Sequence, residues 1–306
     1  MNTTPDFAVE LPVLGIAVRF ATNSATVLSM IEESFGRWRG TPVSNDTPLR
    51  VNLTVHAGSE HVNGRAPVQV VSTDANRLLI QSPGSMAVVE ALRHESVAYV
   101  TEELVADRDH FRITFLEAIT FALIAPFDRH PVHAAALVRD GRSILLAAPA
   151  GTGKSTIAYL AHANGIEVLS DDLVWVQLEP SLRIWGGRTS VRLLDDARAR
   201  FPELAIASAP SGFDKAAVQL GNADDMHRDA CSSAVVCVLE RGPRASLHRL
   251  EANALVDELM RQLAPGFDRF PERQPAVMRA LTSGGGWKLT LSNNPWDALP
   301  YLTQML

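Results

Sequence analysis

Cysteine is nearly absent from this chain of 306 residues, which carries only Cys231 and Cys237. No further cysteine and no nearby histidine pattern completes a metal site or a disulfide framework, so the pair reads as buried thiols near one strand. An excess of positive charge is also missing. The formal net charge is −6 and the isoelectric point is near 5.8. That balance excludes the broad positive field needed by a general nucleic-acid or membrane-surface binder, while leaving room for a local basic pocket. Residues 1–12 offer neither a basic n-region nor an apolar h-region, so no signal peptide is expected. The most apolar long run, Ile113–Phe127, is short for a bilayer span and contains Glu117. It is expected to be a core helix. No repeat and no low-complexity tract interrupts the chain. Hydrophobic residues make up 46% and charged residues 20%, ample material for a packed core. These absences point to a cytoplasmic protein with neither nucleic acid nor membrane as a partner.

The first hundred residues read as strand, helix and then several strands. Leu11–Ala21 alternates weakly, and Thr26–Phe35 is amphipathic at helical spacing. Leu49–His56, Pro67–Ser72 and Arg77–Gln81 are short β-rich runs broken by turn residues. Met86–Leu92 and Ser96–Val100 fit either helix or strand. No chemistry is visible here, and a binding or assembly role is expected. A helix from about Asp107 to Ala125 follows, ended by Pro126, and the domain boundary is placed near residue 105. This gives a smaller α+β module over 1–105 and an α/β domain over 106–306. Beyond Arg183 the reading gives strands at Val191–Leu194, Ala234–Leu239 and Leu247–Leu250, then a helix at Asn253–Leu263. A strand near Trp287–Leu291 and a helix near Pro295–Leu306 close the chain.

The informative stretch is Ile144-Leu-Leu-Ala-Ala148-Pro-Ala150-Gly151-Thr152-Gly153-Lys154-Ser155-Thr156. An apolar run feeds a glycine-containing turn, and the turn opens a helix, Ser155–Asn164, which Gly165 stops. This is the pattern of a phosphate-binding loop. Its glycines let successive backbone N–H groups point at phosphate oxygens, and the helix N-terminus adds partial positive charge. Ala150, Gly151, Thr152, Gly153, Lys154, Ser155 and Thr156 would cradle a nucleoside triphosphate. Lys154 would reach its β- and γ-phosphates, and the Ser155 hydroxyl would ligate Mg²⁺. Ala148 stands where the usual pattern has glycine. An alanine with ordinary negative φ can still begin the turn.

Asp171 and Asp172 follow the apolar run Ile166–Leu169. A helix of about eleven residues descends roughly 16 Å, and a five-residue strand climbs back about as far. Both carboxylates therefore return to the level of the loop. Adjacent residues at a strand end point in opposite directions, so one can hold Mg²⁺ while the other faces a hydroxyl acceptor. The Asp140–Gly141 pair is a two-residue hairpin signal. If the turn centres there, residues whose numbers add to 281 pair across it. His133 then sits opposite Ala148, in reach of an active-site carboxylate or the γ-phosphate.

Taken together, Pro131-Val-His133, the hairpin, Gly151-Thr-Gly153-Lys154-Ser155-Thr156 and Leu169-Ser-Asp171-Asp172-Leu-Val-Trp175 resemble the HPr kinase/phosphorylase superfamily, especially its stand-alone bacterial relatives. Val238-Leu-Glu-Arg241-Gly resembles a strand-end segment of those relatives. The likeness runs over roughly residues 105–300. It implies an α/β fold, with a P-loop kinase domain of the HPr kinase/phosphoenolpyruvate carboxykinase type behind a smaller α+β amino-terminal domain. It also implies Asp171 as the base for a serine hydroxyl, Asp172 with Ser155 as the metal site and His133 as the group supporting the base; the two aspartates can exchange roles. Lys215 matches a basic position of the family. True HPr kinases carry a glutamate in the Gly-rich segment after the Asp-Asp strand, whereas Leu182–Leu193 here contains no acidic residue. This departure points away from HPr as substrate, and towards relatives that phosphorylate a serine of ribosomal precursor peptides, including lasso peptides.

The expected activity is therefore Mg²⁺- and ATP-dependent phosphoryl transfer to a serine of a peptide or protein, with a homo-oligomer compatible. A small-molecule kinase and a nucleotide-sensing regulator are the alternatives. The absence of an Asn-Lys-x-Asp guanine motif leans towards ATP. Arg188, Arg192 and Lys215 are candidate cations for the γ-phosphate. The Gly284–Gly286 run reads as a turn into a strand, since no helix start follows it. Trp185 reads as packing, with stacking on a base or substrate as the alternative.

Overall fold

Short strands with alternating burial build the amino-terminal unit, residues 1–129, of the computed structural model. The structure describes residues 5–58, 65–187, 190–194, 200–201, 216–220, 233–263 and 268–306. The unit's strands are β1 (Phe7–Val13), β2 (Ile16–Thr22), β3 (Leu49–His56), β4 (Gln69–Asp74), β5 (Arg77–Ser82), β6 (Ser85–Glu90) and β7 (Glu95–Thr101). They form one mixed sheet in the order β1-β2-β3-β7-β6-β5-β4. Leu49, Val51 and Leu53 of β3 are buried and alternate with more exposed neighbours, the mark of a sheet covered on one face. Helix α1 (Ala25–Phe35) links the parallel pair β2 and β3, and its Ser24 N-cap accepts from Val27 N–H. Phe20 and Phe35 stack with ring centroids 5.2 Å apart in this core.

Two expectations change here. The run Leu11–Ala21 is not one strand, because Leu14 and Gly15 take φ of 51° and 75° and fold it into the β1–β2 hairpin. The domain boundary falls between residues 129 and 130 rather than near 105. Helices α2 (Glu102–Ala106), α3 (Arg108–Phe111) and α4 (Ala118–Ile124), with a π-helical stretch at Arg112–Glu117 between α3 and α4, continue directly from β7. Elements of this stretch pack on β6, β7 and α1, and Leu104, Phe111, Phe115, Ile119 and Leu123 are buried. The helix predicted at Asp107–Ala125 thus belongs to the amino-terminal core. Met86–Leu92 and Ser96–Val100 resolve as strands β6 and β7, ended by a short 3₁₀ turn at Ala91–Arg93.

The carboxy-terminal unit, residues 130–306, is built on a six-stranded sheet. In chain order its strands are β9 (Ala134–Arg139), β10 (Arg142–Ala147), β11 (Glu167–Ser170), β16 (Ala234–Arg241), β17 (Ser246–Leu250) and β18 (Gly286–Leu291). Their spatial order is β11-β9-β10-β16-β18-β17, with β10, β16 and β18 parallel. Continuous apolar runs suit strands buried on both faces. Ala135, Leu137, Ile144, Leu146 and Cys237 join one core cluster with Ile157 and Leu160 of α5 (Lys154–Ala163). Ala134, Ala136, Leu145, Ala147 and Val238 join the other, with Leu255 and Leu259 of the helix Ala252–Arg261 and Val277 and Leu281 of the helix Gln274–Thr282. A small sheet, β8 (His130–Val132), β12 (Val174–Gln177) and β13 (Arg183–Gly186), adds Val132, Val174, Val176 and Ile184 to this second cluster. Strands β14 (Ser190–Leu193) and β15 (Ala216–Gln219) pair antiparallel. The fold is mixed α/β, as the alternation of elements implies.

Burial pushes the Cys237 thiol up to about 12, so it stays protonated and packs as a small apolar side chain. Cys231 lies outside the described residues. Among the described residues no helix is long and apolar enough to cross a membrane.

Candidate active site

The Asp140–Gly141 turn has φ of 50° and 78°, which both central residues of a type I′ hairpin require. It sets the predicted register: Arg142 pairs with Arg139, and Ala147 with Ala134. His133 is thereby brought level with Ala148, where β10 passes into the loop. Ala148 is buried and is not among the positive-φ residues, so it begins the turn without strain. Gly151 and Gly153 take φ of 81° and 121°, values a side chain rarely adopts. Lys154 then opens α5, one residue earlier than expected. Its end has the predicted glycine cap: Gly165 has φ of 76°, Gly165 N–H donates to His162 O, and Ile166 N–H donates to Ala161 O at 2.9 Å.

Inside the loop the buried Lys154 ammonium donates to Ala148 O at 2.5 Å. The loop closes around its own lysine, with the first N–H groups of α5 beside it.

Two antiparallel ladders bring the acidic pair to this place. β11 pairs with β9, Ser170 opposite Ala136, and β12 pairs with β8, Val174 opposite Val132. The chain leaves the large sheet after Ser170 and enters the small one at Val174, and Ser170 Oγ donates to Leu173 O at 2.6 Å across the turn. On the other side, His133 is the single residue between β8 and β9. Both ladders therefore fix His133 beside the turn that carries Asp171 and Asp172.

The two carboxylates separate as adjacent strand-end residues must. Asp172 is 72% exposed, and its Oδ1 lies 2.8 Å from Nε2 of His133. An ionised carboxylate only accepts, so the imidazole Nε2–H donates. Asp171 turns inward and is 4% exposed, with Oδ2 accepting the backbone N–H of Arg192 at 2.8 Å. Asp171 thus ties β14 to the end of β11. Asp171→Ala is expected to leave the Arg192 N–H without that acceptor and to cost about 1–3 kcal/mol. Urea unfolding of variant and wild type checks this value.

An open cleft gathers Lys154, Ser155, Thr156, His133 and Asp172, with Ala150, Gly151 and Gly153 in its wall. Pro149, Arg192, Leu193, Leu194 and Arg241 complete it. Thr152 and Asp171 are not part of the lining. Among the described lining residues two arginines, one lysine and a helix N-terminus stand with one aspartate, so this part of the cleft is basic within an acidic chain. Among the described residues no group of three or more His, Cys, Asp or Glu side chains is arranged to hold a metal ion. A site of Ser155 hydroxyl and Asp172 carboxylate still suits Mg²⁺, a hard ion that takes few protein oxygens when phosphates supply the rest.

The other candidates separate cleanly. Lys215 and Arg188 lie outside the described residues. Trp185 is buried, and its Nε1–H donates to Gln177 Oε1 at 3.1 Å, so it is a packing residue. Gly285, with φ of 71°, turns the chain into β18, as the glycine run suggests. Arg241, which the sequence places only in a strand-end segment resembling the family, stands at the end of a strand parallel to β10.

No protein-family model matches this chain. No curated protein matches it either. Among solved structures it is similar to the HPr(Ser) kinase/phosphatase from Coxiella burnetii. That match covers 57% of this chain and 93% of the other at 12% identity, with a TM-score of 0.31. At that score the geometry of the cleft itself is the basis for reading it.

Proposed function

We propose that this chain is an ATP- and Mg²⁺-dependent phosphotransferase of the HPr kinase-like kind, which moves the γ-phosphoryl group to a serine hydroxyl of a peptide or protein. The observation that carries the reading is the His133–Asp172 pair standing in the same cleft as the Lys154 loop. Phosphoryl transfer asks the protein mainly to position the reactants and to neutralise charge on the phosphates, with one group placed to take the hydroxyl proton. Loop amides, Lys154 and the helix N-terminus supply the phosphate cradle. Mg²⁺, when bound, would draw charge from the phosphate oxygens, and the Ser155 hydroxyl in the lining would help to hold it.

The base is Asp172 rather than Asp171, because Asp172 is the exposed carboxylate that lines the cleft. His133 holds that carboxylate in one orientation, as the resemblance implies for the group supporting the base. A serine in a ribosomal precursor peptide is the acceptor this reading favours. Incubation with γ-labelled ATP, Mg²⁺ and candidate precursor peptides tests it. Label is expected on serine-containing peptides and not on their Ser→Ala forms. Steady phosphate release without label on any hydroxyl acceptor overturns the transferase reading.

A further inference from the structure

A triphosphate tail needs more positive charge than one loop lysine provides, and the geometry adds a cation, Arg241, to those the sequence offers for the γ-phosphate. β16 runs parallel to β10, with Val238 opposite Ala147. Arg241 ends β16 three residues later, about 10 Å further along at strand rise, which sets it alongside the phosphate loop. Its Nη1 donates to Ser292 O at 3.1 Å, just beyond the end of β18. Its Nη2 reaches the loop: a methyl group on Gly153 would lie 2.9 Å from it. Glycine at 153 therefore serves two ends, the φ of 121° and the close approach of this guanidinium.

Neighbouring Glu240 does not neutralise Arg241. Its carboxylate pairs with Lys288 at 3.2 Å and accepts from Thr290 at 3.0 Å. Among the described residues Arg241 makes no ion pair. It presents a charge held by a neutral carbonyl, in the lining that also contains Lys154 and Ser155. The order β11-β9-β10-β16 fixes the side from which it acts. Asp172 follows β11 and His133 precedes β9, so the acid–base pair flanks the loop on one side and Arg241 flanks it on the other.

We propose that Arg241 is a phosphate-binding residue of this site, its Ser292-anchored guanidinium contacting the terminal phosphate of the bound nucleoside triphosphate across the loop from His133 and Asp172. The proposal rests on the reading of the cleft as a triphosphate site. Anchoring one arm of the fork in advance reduces the side-chain freedom lost on binding.

Calorimetric titration of the full chain with ATP and with ADP, both with Mg²⁺ at fixed ionic strength, provides the test. A charge-assisted hydrogen bond contributes enough that Arg241→Ala should weaken ATP at least about tenfold. ADP should be weakened less, so that the ratio of the two affinities shrinks. Arg241→Lys should recover part of the ATP affinity, since it keeps the charge and loses the fork. The Tm of both variants should match wild type, because the side chain is exposed. Unchanged ATP affinity in Arg241→Ala, or an equal loss for ATP and ADP, overturns the role of Arg241 and leaves the triphosphate site standing. A wild-type chain that binds neither nucleotide overturns the site and this proposal with it.

Discussion

Asp172→Asn is expected to lower kcat by about 10²–10⁴, the range over which a positioned proton acceptor contributes, while ATP affinity stays within a few-fold of wild type. The amide keeps the shape of the side chain, and its oxygen still accepts from Nε2–H of His133, so the variant removes basicity and charge and little else. Because Asp172 is 72% exposed, unfolding free energy should not change measurably. The phosphate cradle consists of other groups, the loop amides and Lys154, which accounts for the retained affinity. A Mg²⁺ titration separates the two roles open to this carboxylate. If Asp172 is the base, the Mg²⁺ concentration for half-maximal rate is unchanged and excess Mg²⁺ restores nothing. If it is chiefly a metal ligand, that concentration rises and high Mg²⁺ recovers the rate. We expect the first outcome, measured as steady-state transfer from γ-labelled ATP. Wild-type kcat in the asparagine variant would end the case for Asp172.

What could be read from the residues follows from how local each signal is. The β9–β10 register was legible because Asp-Gly demands two positive-φ residues, and that alone settles which residues face each other. The loop was legible for a similar reason, since Gly151, Gly153 and Gly165 stand where no side chain sits comfortably. The convergence of His133 with the acidic pair followed from that hairpin register together with the helix and strand lengths. The choice between Asp171 and Asp172 did not. Both stand at a strand end, and what separates their environments is the Arg192 N–H, which β14 brings in from 21 residues downstream to donate to Asp171.

The misplaced domain boundary has a comparable cause. Nothing within residues 102–125 states which sheet their apolar face will cover, and continuity with β7 decides it. The helix Gln274–Thr282 has no counterpart in the sequence reading, and it carries Pro275 in its first turn. At the first turn of a helix a proline loses no hydrogen bond. The sequence places Arg241 only in a strand-end segment that resembles the family; its nearness to the loop depends on a parallel pairing between segments about ninety residues apart.

Lys154→Ala is expected to lower kcat/KM by about 10²–10³, the usual cost of removing one fixed donor from a charge-stabilising site. Unlike Asp172→Asn, it should also weaken ATP binding, because the ammonium acts on the phosphates before reaction as well as during it. The structure makes the stability effect opposite in origin to an ordinary core truncation. Lys154 is a buried cation whose desolvation is unfavourable, and it is held by the Ala148 carbonyl at 2.5 Å. Removing it relieves the buried charge but leaves that carbonyl with one partner fewer, so the two changes oppose each other and the chain should still fold. Lys154→Arg should not rescue activity. A planar fork does not fit where the loop wraps a compact ammonium, and the two cations are not interchangeable at such a site. Parallel measurement of ATP affinity, kcat/KM and Tm on both variants checks these statements. Retained affinity and turnover in Lys154→Ala would show that the loop around Ala148 does not grip a triphosphate, whatever its resemblance to one that does.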